Sequence, residues 1–201
     1  MSRVPSFFDV VVRQRACRFF APDPVPDDDV ATMLDAAVHA PSAENAQPWV
    51  FVVVRDAGLR QRIAELTRRL WDGGAGRHSR GRLEAHLFAE VDGSVRTGFG
   101  GAPVLVVVAG DGRDTTTRRM LAASIFPAVQ NLLLAANALG YGSALMTLAT
   151  VAPAELREVV GLVDGLEPMA IVPIGRPARA LGAPRRRSAA DKTYLDRYSS
   201  G

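Results

Sequence analysis

The sequence predicts one α+β domain with a polar arm at its carboxyl end. Two continuous apolar runs rich in β-branched residues, Trp49–Val54 and Pro103–Ala109, have the composition of strands covered on both faces. Segments with helical spacing of apolar residues lie before, between and after these runs. We find no internal repeat and no second compositional region, so residues 1–201 are expected to form a single domain.

The composition argues against several classes of protein. Twenty-four basic and 21 acidic residues leave a net charge of only +3, and the arginine clusters lack the interleaved aromatics of a nucleic-acid site. The single cysteine, Cys17, excludes an internal disulfide, and the histidines lack metal-ligand spacing. The amino terminus has no apolar signal core, and no uninterrupted apolar run approaches the roughly 18 residues of a membrane span. We expect a cytoplasmic protein without a metal, a membrane or a nucleic-acid partner.

The first part of the chain is predicted to contain two helices joined by a proline-rich connector. Ser6–Arg15 is the first helix, and the prolines that follow it cannot continue one. A second helix has Asp27 or Asp28 available as its cap and ends before Pro41. The strand Trp49–Val54 then follows and is expected to be central in the sheet.

The middle and end of the chain continue the alternation. A helix is predicted at about Leu59–Leu70, and the glycines of Asp72–Gly81 predict a mobile loop that could act as a lid. After the second strand, Leu121–Leu139 is apolar almost all round, which predicts a buried helix. A short apolar run over residues 143–148, a helix opened by Pro153 and closed by Gly161, and a strand at 169–174 complete the domain. From Pro184 onward the chain is too polar to fold against itself.

Two polar features could bind a ligand. Arg13, Arg15 and Arg18 have the density that suits a phosphate, although a solvated helix face is the commoner role of such a cluster. The rigid loop APSAENAQPW directly precedes a buried strand. Within it, Ser42, Asn45 and Gln47 could hydrogen-bond to a heteroaromatic edge or satisfy the backbone of a turn. The residues alone leave both alternatives open.

Taken together, the motifs resemble the FMN-dependent nitroreductase family. They are Arg15-Ala-Cys-Arg18-Phe-Phe20, the APSAENAQPW loop, Gln130-Asn131 through Gly140-Tyr-Gly142, Asp164 through Gly175-Arg-Pro177, and Arg185-Arg-Arg187 with Asp196-Arg-Tyr198. Their order extends over almost the whole chain, and a coincidence becomes improbable when several modest motifs occur in the correct order. Gln14 and Ala16 depart from the family's frequent arginine and serine.

The resemblance implies a fold and an assembly. It implies a three-layer α-β-α domain with a central, mainly antiparallel sheet, and a homodimer with FMN bound at the subunit interface. The arm at about residues 184–201 would cross over to complete the partner's sheet. This crossing would explain why the arm is polar and does not fold on its own.

The resemblance also implies which residues bind the cofactor. Arg15 and Arg18 would lie near the phosphate and ribityl chain, supplemented by Arg13. The loop that contacts the flavin would include Pro41, Ser42, Asn45 and Gln47. The backbone of Met146, Thr147 and Leu148 would approach the flavin ring. The arginines that close the site would be Arg185, Arg186 and Arg187. The acceptor pocket would include the region from Asp72 to Gly100. No side chain is implied as an acid or base.

The function implied is an oxidoreductase with a ping-pong mechanism. Electrons would pass from NADH or NADPH through bound FMN to a small acceptor such as a nitroaromatic or a quinone. Two alternatives stay open: a flavin-dependent dehydrogenase or oxidase of a specialised small molecule, and a non-catalytic protein that stores or senses flavin.

Overall fold

The structure, a computed structural model, describes residues 5–114 and 118–198 of the chain. Its centre is an antiparallel sheet of order β1-β2-β4-β3, formed by β1 at Trp49–Val54, β2 at Val104–Asp111, β3 at Gly142–Ser143 and β4 at Leu166–Gly175. The helices are α1 at Phe7–Arg13, α2 at Asp27–Val38, α3 at Ala57–Leu70, α4 at Gly76–Arg80, α5 at Ala85–Arg96, α6 at Leu121–Ala138 and α7 at Pro153–Val160.

The sheet separates two apolar layers, which makes the fold a three-layer α-β-α arrangement. Side chains of a strand alternate between the two faces of the sheet. Val106 and Val108 of β2 therefore pack in one cluster with α2 and α6, whereas Leu105 and Val107 pack in the other cluster with α3 and α7. The predicted α+β fold with an antiparallel sheet is confirmed.

The two predicted strands differ in their positions. The side chains of β2 up to Gly110 are buried, and β2 pairs with both β1 and β4. In the described chain β1 pairs only with β2 and is mostly half-buried, so the expectation that it is central is wrong. A continuous apolar run indicates cover on its faces and does not reveal how many strands flank it.

Helix α6 is the most apolar helix of the structure. Its length and composition would suffice for a membrane span, and core helices meet the same criteria. Ile125, Val129 and Leu132 are at most 1% exposed and pack in the cluster that contains α2 and the sheet. In this structure α6 is therefore a core helix.

Two predictions about helix ends are corrected by the structure. Helix α1 ends at Arg13, before the predicted Arg15, and Ser6 caps it by accepting from the backbone N–H of Asp9 at 3.2 Å. At α2 neither aspartate is the cap, because Pro26 occupies that position and Asp27 pairs with Arg55 at 2.7 Å.

The predicted mobile loop at residues 72–81 is mostly helical. A π-helical turn at Trp71–Ala75 leads into α4, and Gly74 supplies its positive φ of 145°. Trp71 is the anchor of this turn: its indole stacks on Phe88 and donates to Asp92 at 2.8 Å. Tertiary contacts of the tryptophan therefore overcome the low helix propensity of the glycines.

The carboxyl-terminal arm carries little regular structure. Within residues 184–198 it forms one short 3₁₀ turn at Ala189–Lys192. Its apolar side chains face solvent, and Leu195 and Tyr198 are 86% and 76% exposed. The predicted crossing of this arm to a partner remains a prediction.

Candidate functional site

Arg15 and Arg18 lie on an extended stretch at residues 14–20, here called the arginine segment, which follows α1 and runs along β3, whereas Arg13 is the last residue of α1. After α1, the backbone N–H of Cys17 donates to the carbonyl of Ser143 at 2.9 Å, and Ala16 and Ser143 form a parallel bridge. Farther along, the N–H of Phe20 donates to the carbonyl of Gly100 at 2.9 Å. Backbone hydrogen bonds on both sides therefore fix this segment in place.

The extended backbone divides the arginines between two clefts. Arg13 and Arg15 line a polar cleft of about 220 Å³ together with Asn137, residues 140–143 and Pro177. The guanidinium of Arg15 donates to the carbonyl of Gly182 at 3.2 Å. In the described part of the chain Arg15 forms no ion pair, so its charge is available to an anion.

The second cleft brings Arg18 together with residues 146–148, the segment whose backbone is predicted to contact the flavin. Arg18 and residues 144–148, which include Met146, Thr147 and Leu148, line a mainly apolar cleft of about 210 Å³. The opposite wall consists of Trp71 and α5 residues Val91, Ser94 and Val95. An apolar cleft with a few convergent polar groups is the usual form of a small-molecule site.

Arg18 is half-buried beside a carboxylate. One of its terminal nitrogens is 3.6 Å from Glu90, and the same carboxylate accepts from Arg179 at 2.5 Å. Burial lowers the pKa of Arg18, Glu90 opposes that shift, and Arg15 adds to it. Since arginine titrates far above neutral pH, Arg18 is a cation in the wall of the second cleft.

Cys17 packs between these elements and is not a nucleophile. It is 1% exposed, its thiol donates to the carbonyl of Phe19 at 3.3 Å, and burial raises its pKa. A buried thiol with a raised pKa is unreactive. Gly142 gives it room, because a Cβ there would lie 2.6 Å from both Cβ and Sγ of Cys17.

The APSAENAQPW loop lies at a different place in the fold. The hydroxyl of Ser42 accepts from the backbone N–H of Gln47 at 3.1 Å, and the amide of Gln47 donates to Asn45 at 3.2 Å. Glu44, Asn45 and Gln47 all have positive φ, which non-glycine residues seldom adopt. In this chain the loop therefore satisfies its own turn and does not line either arginine cleft.

The remaining predicted residues are exposed. Pro41 lies at the start of the loop, and Arg185, Arg186 and Arg187 lie on the arm. Arg186 donates to the carbonyl of Arg185 at 3.1 Å. The structure does not bring these residues to either cleft.

Several cleft residues were not singled out in the sequence. Ser94 lies within the Asp72–Gly100 region predicted as the acceptor region, and Trp71 directly precedes that region. Nothing in their spacing distinguishes them from ordinary helix residues, and only the geometry of the second cleft reveals them. Across residues 5–114 and 118–198, no group of three His, Cys, Asp or Glu side chains is arranged to hold a metal ion.

Comparisons with known proteins identify the family. The model of the Nitroreductase family matches residues 11–176, which include the end of α1, every strand and the arginine segment. The chain belongs to this family.

Three relatives illustrate its range. An iodotyrosine deiodinase of Thermotoga neapolitana is 31% identical over 85% of this chain and 88% of its own. A protein of Archaeoglobus fulgidus named "Putative NADH dehydrogenase/NAD(P)H nitroreductase" is 28% identical over 84% of this chain and 83% of its own. A nitroreductase of Desulfitobacterium hafniense, solved with bound FMN, has a TM-score of 0.74 at 20% identity, and the alignment covers 98% of this chain and 100% of that one.

Proposed function

We propose that this protein is an FMN-dependent oxidoreductase that passes electrons from NADH or NADPH to a small acceptor such as a nitroaromatic or a quinone. The observation that carries the proposal is that two clefts, one polar and one apolar, lie along the arginine segment. Arg15 provides an available cation in the polar cleft, and Arg18 lies with Met146–Leu148 in the apolar cleft. FMN combines an anionic phosphate with a flat ring, which matches this division.

The residues present fit the cofactor. Arginine binds phosphate through paired N–H donors, so Arg15, supplemented by Arg13, would hold the phosphate. Arg18 would face the ribityl chain and the polar edge of the ring. The backbone of residues 146–148 and the apolar wall at Val91 and Val95 would hold the ring itself.

When bound, FMN supplies the redox chemistry, since its ring can accept a hydride from a nicotinamide and deliver two electrons to an acceptor. The protein binds and orients the ring, and the Arg18 guanidinium stabilises negative charge in the cleft. Trp71 and α5 exclude water from one side of the cleft. Because protons can come from water, we assign no acid or base to a side chain.

We further propose a cytoplasmic homodimer with one FMN site at each end of the interface. Each cleft is smaller than the roughly 300–1,000 Å³ of typical ligand sites, so one subunit supplies only part of a site. The polar side chains of the Pro41–Gln47 loop and the arginines at 185–187 would complete the partner's site. The apolar side chains that the arm leaves exposed support this assembly.

The acceptor would bind against Trp71 and α5. This wall belongs to the Asp72–Gly100 region and its flank, and Ser94 adds a hydroxyl to an otherwise apolar surface. A flat aromatic or quinone acceptor fits such a wall because its faces are apolar and its oxygens accept hydrogen bonds.

Absorption spectroscopy tests the proposal directly. Purified protein is mixed with FMN, desalted, and titrated without oxygen with NADH and then NADPH. We expect about one FMN per subunit to remain and to bleach with a nicotinamide, and then to recover its colour on addition of a nitroaromatic or quinone. Loss of all flavin on desalting contradicts the proposal. Retained flavin that no nicotinamide bleaches favours an oxidase or a storage protein.

A second candidate reaction is reductive removal of a halogen from an aromatic ring. It is favoured by the deiodinase of Thermotoga neapolitana, which is 31% identical over most of both chains. Adding 3-iodo-L-tyrosine to the reduced protein separates the two reactions. Iodide release coupled to flavin reoxidation would establish the second candidate, and reoxidation only by nitroaromatics or quinones would exclude it.

A further inference from the structure

Glu90 lies between two arginines and contacts each of them differently. Arg179 donates a hydrogen bond to one carboxylate oxygen at 2.5 Å. Arg18 is 3.6 Å from the other oxygen, and in the described structure this contact is an ion pair without a hydrogen bond. Arg179 therefore holds Glu90 in place, and Glu90 acts on Arg18 mainly through its charge.

The carboxylate is fixed relative to the apolar cleft. Glu90 lies on α5, whose residues Val91, Ser94 and Val95 form one cleft wall. The helix packs closely against the arginine segment: a Cβ at Gly93 of α5 would lie only 3.0 Å from the ring of Phe19. The side chains of Arg18 and Glu90 are only 23% and 25% exposed, so water screens their interaction incompletely.

We propose that Glu90, acting through its charge on Arg18, lowers the midpoint potential of the FMN bound beside Arg18. This inference rests on the proposed function. A cation near the ring stabilises the reduced, anionic form of flavin and so raises the potential. Glu90 offsets part of the Arg18 charge and thereby favours the oxidised form.

Arg179 has the opposite effect in the same cluster. It lies on the far side of the carboxylate, with its side chain 69% exposed, and compensates part of the Glu90 charge. Removing Arg179 leaves Glu90 to act more fully on Arg18. The structure thus predicts opposite shifts in potential for neutral substitutions at the two partners.

The test measures the midpoint potential and the FMN dissociation constant of Glu90→Gln, Arg179→Gln and a control. Glutamine retains the size of Glu90 and an oxygen that can accept from Arg179. For the control, Glu155→Gln removes a carboxylate that pairs with Arg69 on the surface between α3 and α7. Melting temperatures of the flavin-free proteins report whether each variant folds.

We expect Glu90→Gln to shift the potential in the positive direction by about tenfold in the reduced-to-oxidised ratio, or about 30 mV for two electrons. Arg179→Gln should shift it in the negative direction, and Glu155→Gln should leave it unchanged. An unchanged potential in Glu90→Gln with FMN retained overturns the inference and leaves the proposed function intact.

Two other outcomes are equally decisive. Loss of FMN from Glu90→Gln alone would show that Glu90 holds Arg18 in position and does not act by its charge, which overturns the inference. Failure of the unmodified protein to retain FMN overturns the proposed function and this inference with it. If Arg179→Gln does not fold, the inference is decided by Glu90→Gln alone: a positive shift of the midpoint potential supports it, and no shift or a negative shift overturns it.

Discussion

A Cβ at Gly100 would lie 1.8 Å from the carbonyl oxygen of Arg18, so the arginine segment passes directly against this glycine. Gly100 also has a φ of 66°, which an alanine adopts at a cost of about 1–2 kcal/mol. Its carbonyl accepts from Phe20 at 2.9 Å, and this bond fixes the segment that carries Arg15 and Arg18. The fold at Gly100 and the position of the arginines are therefore coupled.

We predict that Gly100→Ala lowers the free energy of unfolding by more than backbone strain alone can explain. Gly161 is the matched control, since its φ is 70° and a Cβ there would meet nothing within 4 Å. Gly161→Ala should cost about 1–2 kcal/mol in urea denaturation, and Gly100→Ala should cost clearly more and weaken FMN binding. Equal losses of stability in the two variants would show that the arginine segment moves away from the added Cβ without lowering the free energy of unfolding.

Much of the fold could be predicted because β1, β2 and the helix at residues 121–138 coincide with long, strongly apolar runs of the sequence. The turn at Trp71 could not, since the glycines beside it favour a loop and only contacts with Phe88 and Asp92 make it helical. The cap of α2 was also mispredicted, because Asp27 pairs with Arg55, a residue distant in sequence. Local sequence carries no information about such long-range partners.

The candidate site could be predicted only in part. Arg18 and residues 146–148 line one cleft, whereas Arg15, which the resemblance groups with Arg18 near the phosphate and ribityl chain, lines a different one. Spacing along a helix suggested one phosphate cluster, but α1 ends at Arg13 and the extended chain separates the side chains. Only the structure reveals the contact between Glu90 and Arg18, because sequence spacing does not predict an ion pair between residues 72 positions apart.

Arg15 is predicted to recognise the phosphate of FMN specifically. Arg15→Ala should weaken FMN binding by roughly 10- to 100-fold, the value of a charge-assisted hydrogen bond. Riboflavin lacks the phosphate, so its affinity should be unchanged within about twofold. Fluorescence titration with both ligands measures the difference, and Arg69→Ala serves as a surface control because Arg69 pairs with Glu155 outside the clefts. Equal weakening of both ligands would place Arg15 elsewhere than at the phosphate.

Tyr141 is predicted to stabilise the fold through its hydroxyl. The ring is 3% exposed, its hydroxyl donates to Asp29 at 2.5 Å, and Arg176 lies 4.7 Å from its centroid. Tyr141→Phe retains the ring and should lower the free energy of unfolding by about 1–3 kcal/mol, because Asp29 loses its partner. The control Tyr198→Phe alters a tyrosine that is 76% exposed and should cost nothing measurable.

The same tyrosine predicts a loss of stability at high pH. Burial raises the pKa of Tyr141, and the hydrogen bond to Asp29 adds to the shift. Its contribution is fully present below the unfolded value of about 10 and is lost as the pH rises through the higher folded pKa. Denaturation from pH 8 to 11 should therefore show a smaller alkaline decline in Tyr141→Phe. An identical decline in both proteins would assign the effect to other groups.

The exposed arm is predicted to hold the proposed dimer together. Leu195 is 86% exposed, and Phe7 and Phe8 of α1 are 67% and 76% exposed, so apolar surface is left uncovered in one subunit. Ending the chain before Pro184 should convert the dimer to a monomer and abolish FMN retention, since the arginines at 185–187 are lost with it. Light scattering after size-exclusion chromatography measures the mass, and the desalted spectrum measures the flavin.

Two point variants separate a specific interface from a general loss of apolar surface. Phe8→Ser removes an exposed aromatic from α1 and should weaken the dimer, because exposed aromatics contribute strongly when an interface buries them. Val163→Ser alters a residue that is 60% exposed in the turn after α7 and belongs neither to α1 nor to the arm. It should leave mass and flavin content unchanged. A shortened chain that remains a dimer with bound FMN would rule out the crossing arm.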